Sequence, residues 1–249
     1  MSNPRQICRK QKVSFVLSRM LQLDKSHTAI LVFIRSASLE AVAKPLSLNK
    51  KKAPKLARLR NKRIVKIAHK TGLPTYVVDE KLQSGVDFGS RFYSAFKYVF
   101  QEGYRNVIAV GNDCISLNRH TIINAQQYLE QGKMVLGPAH DGGIYLMGIS
   151  QQFFQELAFN KLAWQSALLF GQLQTIIQGS KHQVFILGAA RDIDSIQELK
   201  AAFQTVKIVD AFLALIKQLL EQRFEQAPLI PIPILNKYSS LFSLRGPPE

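Results

Sequence analysis

The chain has 249 residues, of which 47% are hydrophobic, and a formal net charge of +16. That length suits one large α/β domain or two small ones, and the apolar fraction supports a substantial core, which excludes a largely disordered chain. The two cysteines, Cys8 and Cys114, make neither a disulfide framework nor a metal-ligand spacing, and the apolar run 29–34 falls far short of the roughly 20 residues of a membrane span.

The charge is uneven. Residues 1–70 hold 18 Lys/Arg against two acids, Asp24 and Glu40, while residues 71–249 hold 15 of each sign. The densest part, 50–66, has nine basic residues and no acid. A charge run of this kind is usually a solvated face or loop. Its functional alternatives are attraction of a polyanion, such as nucleic acid, or of a phosphorylated ligand. No zinc spacing, helix-turn-helix pattern or aromatic interleaving accompanies it, so specific base readout has little support. Free cysteines and the lack of a secretory apolar core after the basic start lead to the expectation of a soluble, cytoplasmic protein.

In chain order, apolar spacing over 13–23 predicts a helix within an N-terminal extension, residues 1–25. Residues 28–33 predict a buried strand, and the segment after it, 34–46, brings Arg35, Ser36 and Lys44 to that strand's end. A helix is expected from about Lys55 to His69, stopped by Gly72 and Pro74. A second strand over 75–78, a loop over 81–88 and a helix over 89–101 follow. The helix carries Phe92, Ala95, Phe96, Val99 and Phe100 on one face. A third strand, 106–110, ends just before Asn112 and Asp113. Asn118 can cap a helix over 119–130. A fourth strand, 134–136, leads to Asp141-Gly142-Gly143 and a fifth strand, 144–149. Helices over 151–157 and 164–177, a last strand over 182–187 and a helix after Asp194 or Ser195 complete the main unit, residues 26–225, which closes on an amphipathic helix at 209–223. Pro228, Pro231 and Pro233 then rule out a regular helix at the start of the tail, 226–249, which is expected to be extended.

The alternation of strands and helices predicts a single α/β domain with a mostly parallel sheet and helices on both faces. In such a sheet the loops after the first, third and fourth strands share one edge, where ligand sites form. One of them is cationic and two are acidic, a combination that suits a phosphate-bearing ligand with Mg²⁺ or Mn²⁺. Plainer readings stand beside it. Asp113 could be a turn or cap residue, Asp141-Gly142 a hairpin turn, Asp192 and Asp194 helix starts, and Arg35 and Lys44 surface charges. His140 reads as a loop histidine, and Cys114 as a small buried residue. A phosphate-binding P-loop, a Gly-rich dinucleotide fingerprint and a nucleophile elbow are all absent from the sequence.

The stretches V-I-A-V-G-N-D-C and V-L-G-P-A-H-D-G-G-I-Y-L-M-G-I resemble a bacterial family long labelled a domain of unknown function. Its members are often assigned as GT-A-fold glycosyltransferases, some in arsenosugar biosynthesis. R-S-A-S-L-E-A-V-A-K, F-G-S-R-F, L-A-W-Q-S and D-I-D-S resemble further motifs of that family, in order, over residues 29–199. This chain departs from the pattern at Ile115 and Ala163, where proline is usual, and at Ser90, where Glu is common.

The resemblance implies a GT-A-like domain and a metal-assisted glycosyltransferase using a nucleotide sugar and an acceptor that the sequence does not name. Asp113 would bind the metal, with Asp194 as a second contact. Arg35, Ser36, Lys44, Gly89, Arg91 and Asn112 would face the donor and its phosphates. Asp141 would act on the acceptor side, as a general base, beside Gly142, Gly143 and Trp164. A nucleotidyltransferase acting on an NTP and a phosphorylated acceptor is the alternative. A third reading is a non-catalytic domain of the same fold that binds a polyanion through residues 1–70.

Overall fold

In the computed structural model, the structure describes residues 27–44 and 50–190. The expectations for 1–25, Asp192, Asp194, the helix at 209–223 and the tail fall outside those residues. A six-stranded sheet in the order β2-β1-β3-β5-β4-β6 organises the rest. It comprises β1 (Thr28–Phe33), β2 (Thr75–Val78), β3 (Asn106–Val110), β4 (Met134–Pro138), β5 (Ile144–Ser150) and β6 (Val184–Ile186). β1 pairs in parallel with β2 and β3, and β4 with β6. β5 lies antiparallel between β3 and β4. Five strands therefore run one way and one runs against them, which is the mostly parallel α/β domain expected.

The central strands read as unbroken apolar runs because both of their faces are covered. Ala29 and Leu31 of β1 join Val107 and Ala109 of β3 in one core, under α3 (Phe88–Gln101), α5 (Gln151–Glu156) and α6 (Leu169–Gln178). Ile30 and Val32 join Ile108 and Val110 in the other, under α2 (Lys52–His69) and α4 (Arg119–Glu130). The aromatic face read from the sequence of α3 is buried throughout. Asn118 caps α4 as expected, its side chain accepting from the Thr121 N–H at 3.1 Å.

Three local expectations change. The segment after β1 is not a plain loop, because Ser36 caps a short helix, α1 (Ala37–Ala43). The helix α2 begins at Lys52 rather than Lys55, since Pro54 falls in its first turn, where a missing N–H costs nothing. The helix expected from Trp164 begins only at Leu169, because Gln165 sits at φ 58°, a left-handed backbone that no α-helix contains.

Candidate functional site

The β1–α1, β3–α4 and β4–β5 connections converge at one sheet edge, as the parallel arrangement requires. They line a cavity of about 440 Å³ together with the start of α3 and residues 164–167. Of the residues expected there, Arg35, Lys44, Arg91, Asn112, Asp113, Asp141, Gly143 and Trp164 line it. Phe33, Phe88, Phe92, Leu146 and Met147 supply apolar walls.

One end of the cavity is an ion-pair chain. Lys44 Nζ donates to Asp113 Oδ2 at 2.8 Å, and the Arg60 guanidinium bonds Asp113 Oδ1. Arg60 also reaches Glu40, Nη1 to Oε1 at 3.8 Å, and donates from Nε to the Asn112 carbonyl at 3.2 Å. Arg35 stands 3.7 Å from the other oxygen of Glu40. Burial works against the charge of Asp113, but Arg60 and Lys44 outweigh it and hold this carboxyl below its usual range. Burial, reinforced by Asp113, pushes Glu40 up, against Arg60, Lys44 and Arg35.

Arg60 is the principal residue that the sequence reading missed. Its side chain is 4% exposed, although it lies within the run that reads as a solvated basic face. The neighbouring Asn61 accepts from Asn112 Nδ2 at 2.6 Å and donates to the Arg35 carbonyl at 2.8 Å. Arg63 donates to the carbonyls of Cys114, Ile115 and Leu117. Helix α2 thus clamps both loops that carry the charged residues. Lys51, Lys55, Arg58, Lys62 and Lys66 of the same run remain exposed.

The opposite end is built by the β4–β5 turn and the Trp164 segment. Asp141 is exposed and lines the cavity, and its Oδ1 accepts from the Gly143 N–H at 2.9 Å in an Asx turn. The hairpin reading and the site reading describe the same loop. Gly142, at φ 87°, is required by a close approach: a Cβ there would meet the Ala167 carbonyl oxygen at 2.1 Å. Gly89 is likewise buried beneath Trp164, where a Cβ would meet the indole at 2.6 Å. Trp164 Nε1 donates to the Phe159 carbonyl at 2.7 Å. Gly89 and Gly142 therefore reach the cavity through the segment they seat.

Ser36, expected at the site, and His140, read as a loop histidine, lie outside the cavity lining. Ser36 caps α1, and its N–H donates to Glu80 at 2.6 Å. His140 is exposed, and its N–H donates to the Ala190 carbonyl at 3.0 Å. Arg91 lines the cavity while donating to the Val86 carbonyl at 3.3 Å.

Of the two expected metal contacts, Asp194 lies outside the described residues and only Asp113 can be placed. Each of its oxygens already meets a cation, and no group of three His, Cys, Asp or Glu side chains comes together among the described residues. No helix among the described residues is long and apolar enough to cross a membrane.

Residues 68–166 match a family described as uncharacterized protein conserved in bacteria (DUF2064). This is the family the Gly-Asn-Asp and Asp-Gly-Gly loops resemble. The DUF2064 segment holds Arg91, Asp113, Asp141 and Trp164, and it leaves Arg35, Glu40, Lys44 and Arg60 outside. A candidate nucleotide-diphospho-sugar transferase from Desulfovibrio desulfuricans G20 has the same fold. It is 21% identical, with a TM-score of 0.67, over 79% of this chain and 98% of that one. Two lower-scoring matches are a cytidylyltransferase from Leptospira borgpetersenii serovar Hardjo-bovis and the manganese complex of Rv0371c from Mycobacterium tuberculosis H37Rv. The first is 14% identical over 80% of this chain and 96% of that one, with a TM-score of 0.43. The second is 13% identical over 73% of this chain and 100% of that one, with a TM-score of 0.41. No protein of curated function matches the sequence.

Proposed function

We propose that the protein is a glycosyltransferase that takes a nucleotide-diphospho-sugar in the cavity at this sheet edge. The observation that carries the reading is the convergence there of Arg35, Lys44 and Arg91 with an aromatic wall and a separate carboxylate, Asp141. The cations suit a diphosphate, and guanidinium groups suit it in two-point fashion. The aromatic side formed by Phe33, Phe88 and Trp164 suits a base or a sugar face. Asp141, on the hairpin turn, would serve an acceptor hydroxyl as general base.

As the bond to the sugar breaks, negative charge builds on the departing nucleoside diphosphate. Lys44, paired with Asp113, and Arg35, beside Glu40, would meet that charge with cations. A divalent ion, expected at Asp113 with Asp194, would have to compete at Asp113 with Lys44 and Arg60. The fold likeness to the Desulfovibrio protein supports the reading at the level of architecture.

Incubation with UDP- and GDP-sugars should release free nucleoside diphosphate. Asp141→Asn should lower that turnover by about 10²–10⁴-fold, the usual share of a general base, while leaving binding of the nucleoside diphosphate unchanged. Release of pyrophosphate from an NTP, with no release from nucleotide sugars, would replace the glycosyltransferase by a nucleotidyltransferase. Salt-sensitive nucleic-acid binding without any nucleotide-sugar binding would replace both by a polyanion-binding domain.

A further inference from the structure

Among the described residues, Gln165 is the only one besides glycines with a positive φ, at 58°. That left-handed backbone is costly for a residue with a long side chain and open to glycine. Backbone strain of this kind clusters at active sites and ligand clamps.

The neighbours of Gln165 are tied to the protein on both sides. Trp164 Nε1 donates to the Phe159 carbonyl at 2.7 Å, and its backbone N–H to the Leu162 carbonyl at 2.8 Å. Ser166 Oγ donates to the Ala163 carbonyl at 2.8 Å and accepts from the Leu168 N–H at 3.2 Å. The Phe170 N–H donates to the Gly142 carbonyl at 3.0 Å. The Gln165 side chain differs: it has no hydrogen-bond partner among the described residues. Gln165 is exposed, and it lines the cavity beside Trp164. Its amide brings two donors and a carbonyl acceptor to that wall.

The cavity indicates what such an amide can meet. Arg35 and Lys44, which flank α1, line one part of it, and Asp141 lines another. The turn that carries Asp141 packs on the segment of Gln165, since Gly142 leaves no room for a Cβ against the Ala167 carbonyl. In a glycosyl donor the sugar separates the diphosphate from the acceptor. It would lie between the cations and Asp141, against Trp164. A few polar groups on an otherwise apolar wall are what fix a ligand's orientation, and a sugar hydroxyl both donates and accepts, as an amide does.

We propose that Gln165 determines specificity for the sugar of the donor, its amide hydrogen-bonding the sugar's hydroxyls. This rests on the reading that the ligand is a nucleotide-diphospho-sugar. The left-handed backbone then holds the amide at the cavity wall at a cost to stability.

Calorimetry on the full chain tests it, with UDP, GDP and two pairs of nucleotide sugars that differ at one hydroxyl, UDP-glucose with UDP-galactose and GDP-glucose with GDP-mannose. The wild type should separate at least one pair by about threefold or more, the range of a single neutral hydrogen bond. Gln165→Ala should weaken the preferred sugar by about three- to tenfold and bring the pair together, with UDP and GDP binding unchanged. Gln165→Gly should lose the same discrimination while its urea midpoint lies above that of Gln165→Ala, which separates lost selection from a damaged fold.

Discrimination that survives Gln165→Ala, or a matching loss of UDP and GDP binding, would overturn the inference and leave the transferase reading standing. So would a wild type that binds these nucleotide sugars and separates neither pair. A midpoint for Gln165→Gly below that of Gln165→Ala would remove the strain and overturn it as well. If no nucleotide sugar binds, the transferase reading fails and the inference fails with it.

Discussion

Gly89 and Gly171 both lie inside helices, and at both a methyl group improves the helix itself by up to about 1 kcal/mol. Their surroundings differ. At Gly171 an added Cβ meets nothing within 4 Å, whereas at Gly89 it meets Trp164 Cδ1 at 2.6 Å and Nε1 at 2.7 Å. The indole cannot slide away without giving up its bond to the Phe159 carbonyl and its stacking on the Phe159 ring. Overpacking at such a point costs about 1–3 kcal/mol, enough to outweigh the gain in helix propensity. Gly171→Ala should therefore raise the urea midpoint and Gly89→Ala lower it. Trp164 is the only tryptophan in the chain, so its fluorescence reports both unfolding and the site. A shifted native emission in Gly89→Ala, absent in Gly171→Ala, is the expected signature. Equal midpoints for the two variants would mean that Trp164 is not held as described.

At the scale of elements, helix α2 does more than cover the sheet. Arg63 satisfies three carbonyls of the β3–α4 loop, so Arg63→Ala should leave buried acceptors unpaired at a cost of about 1–3 kcal/mol. The loss should be local, so amides over 111–118 should exchange faster while those of β1 keep their protection. Uniform acceleration throughout would mean that the loop is not a separate unit. This clamp also marks the limit of what the sequence made legible. The strands were readable because burial on both faces leaves an apolar run, and α4 because Asn118 and Gly132 bracket it. Arg60 was not, because a run of nine basic residues looks solvated as a whole. The available signal was periodicity: Ala53, Leu56, Ala57, Arg60, Ile64 and Ala68 form the buried stripe of α2, and an arginine on such a stripe needs a buried anion. The left-handed Gln165 had no signal in composition or spacing. The turn around it is imposed by tertiary contacts, such as that between Gly142 and Ala167.

For the whole molecule, the opposing directions of its perturbed carboxyls decide the response to acid. Asp87, bonded by the Ser90 N–H and hydroxyl, and Glu156, bonded by His182, are held below their usual range, as is Asp113 despite its burial. A carboxyl depressed by folding adds stability above its unfolded value, and that stability is lost as pH falls through the folded value. Glu40 runs the other way: its raised value favours the folded state at low pH, and this contribution fades as pH rises through that value. Glu40 opposes one part of the acid limb and does not cancel it. The chain also carries a net charge of +16 at pH 7, and protonating its carboxylates adds to the self-repulsion. Stability measured by urea titration should therefore fall between about pH 5 and pH 2, with part of the loss recovered by salt through screening. Asp113→Asn separates the two causes. It leaves Arg60, 4% exposed, without its main anion, so at neutral pH it should cost on the order of 3 kcal/mol. Having no carboxyl to protonate at that position, the variant should show a shallower acid limb than the wild type, while its salt dependence at low pH stays similar. An acid limb of unchanged slope in Asp113→Asn would assign the acid loss to net repulsion and leave the ion-pair chain at the cavity without a part in it.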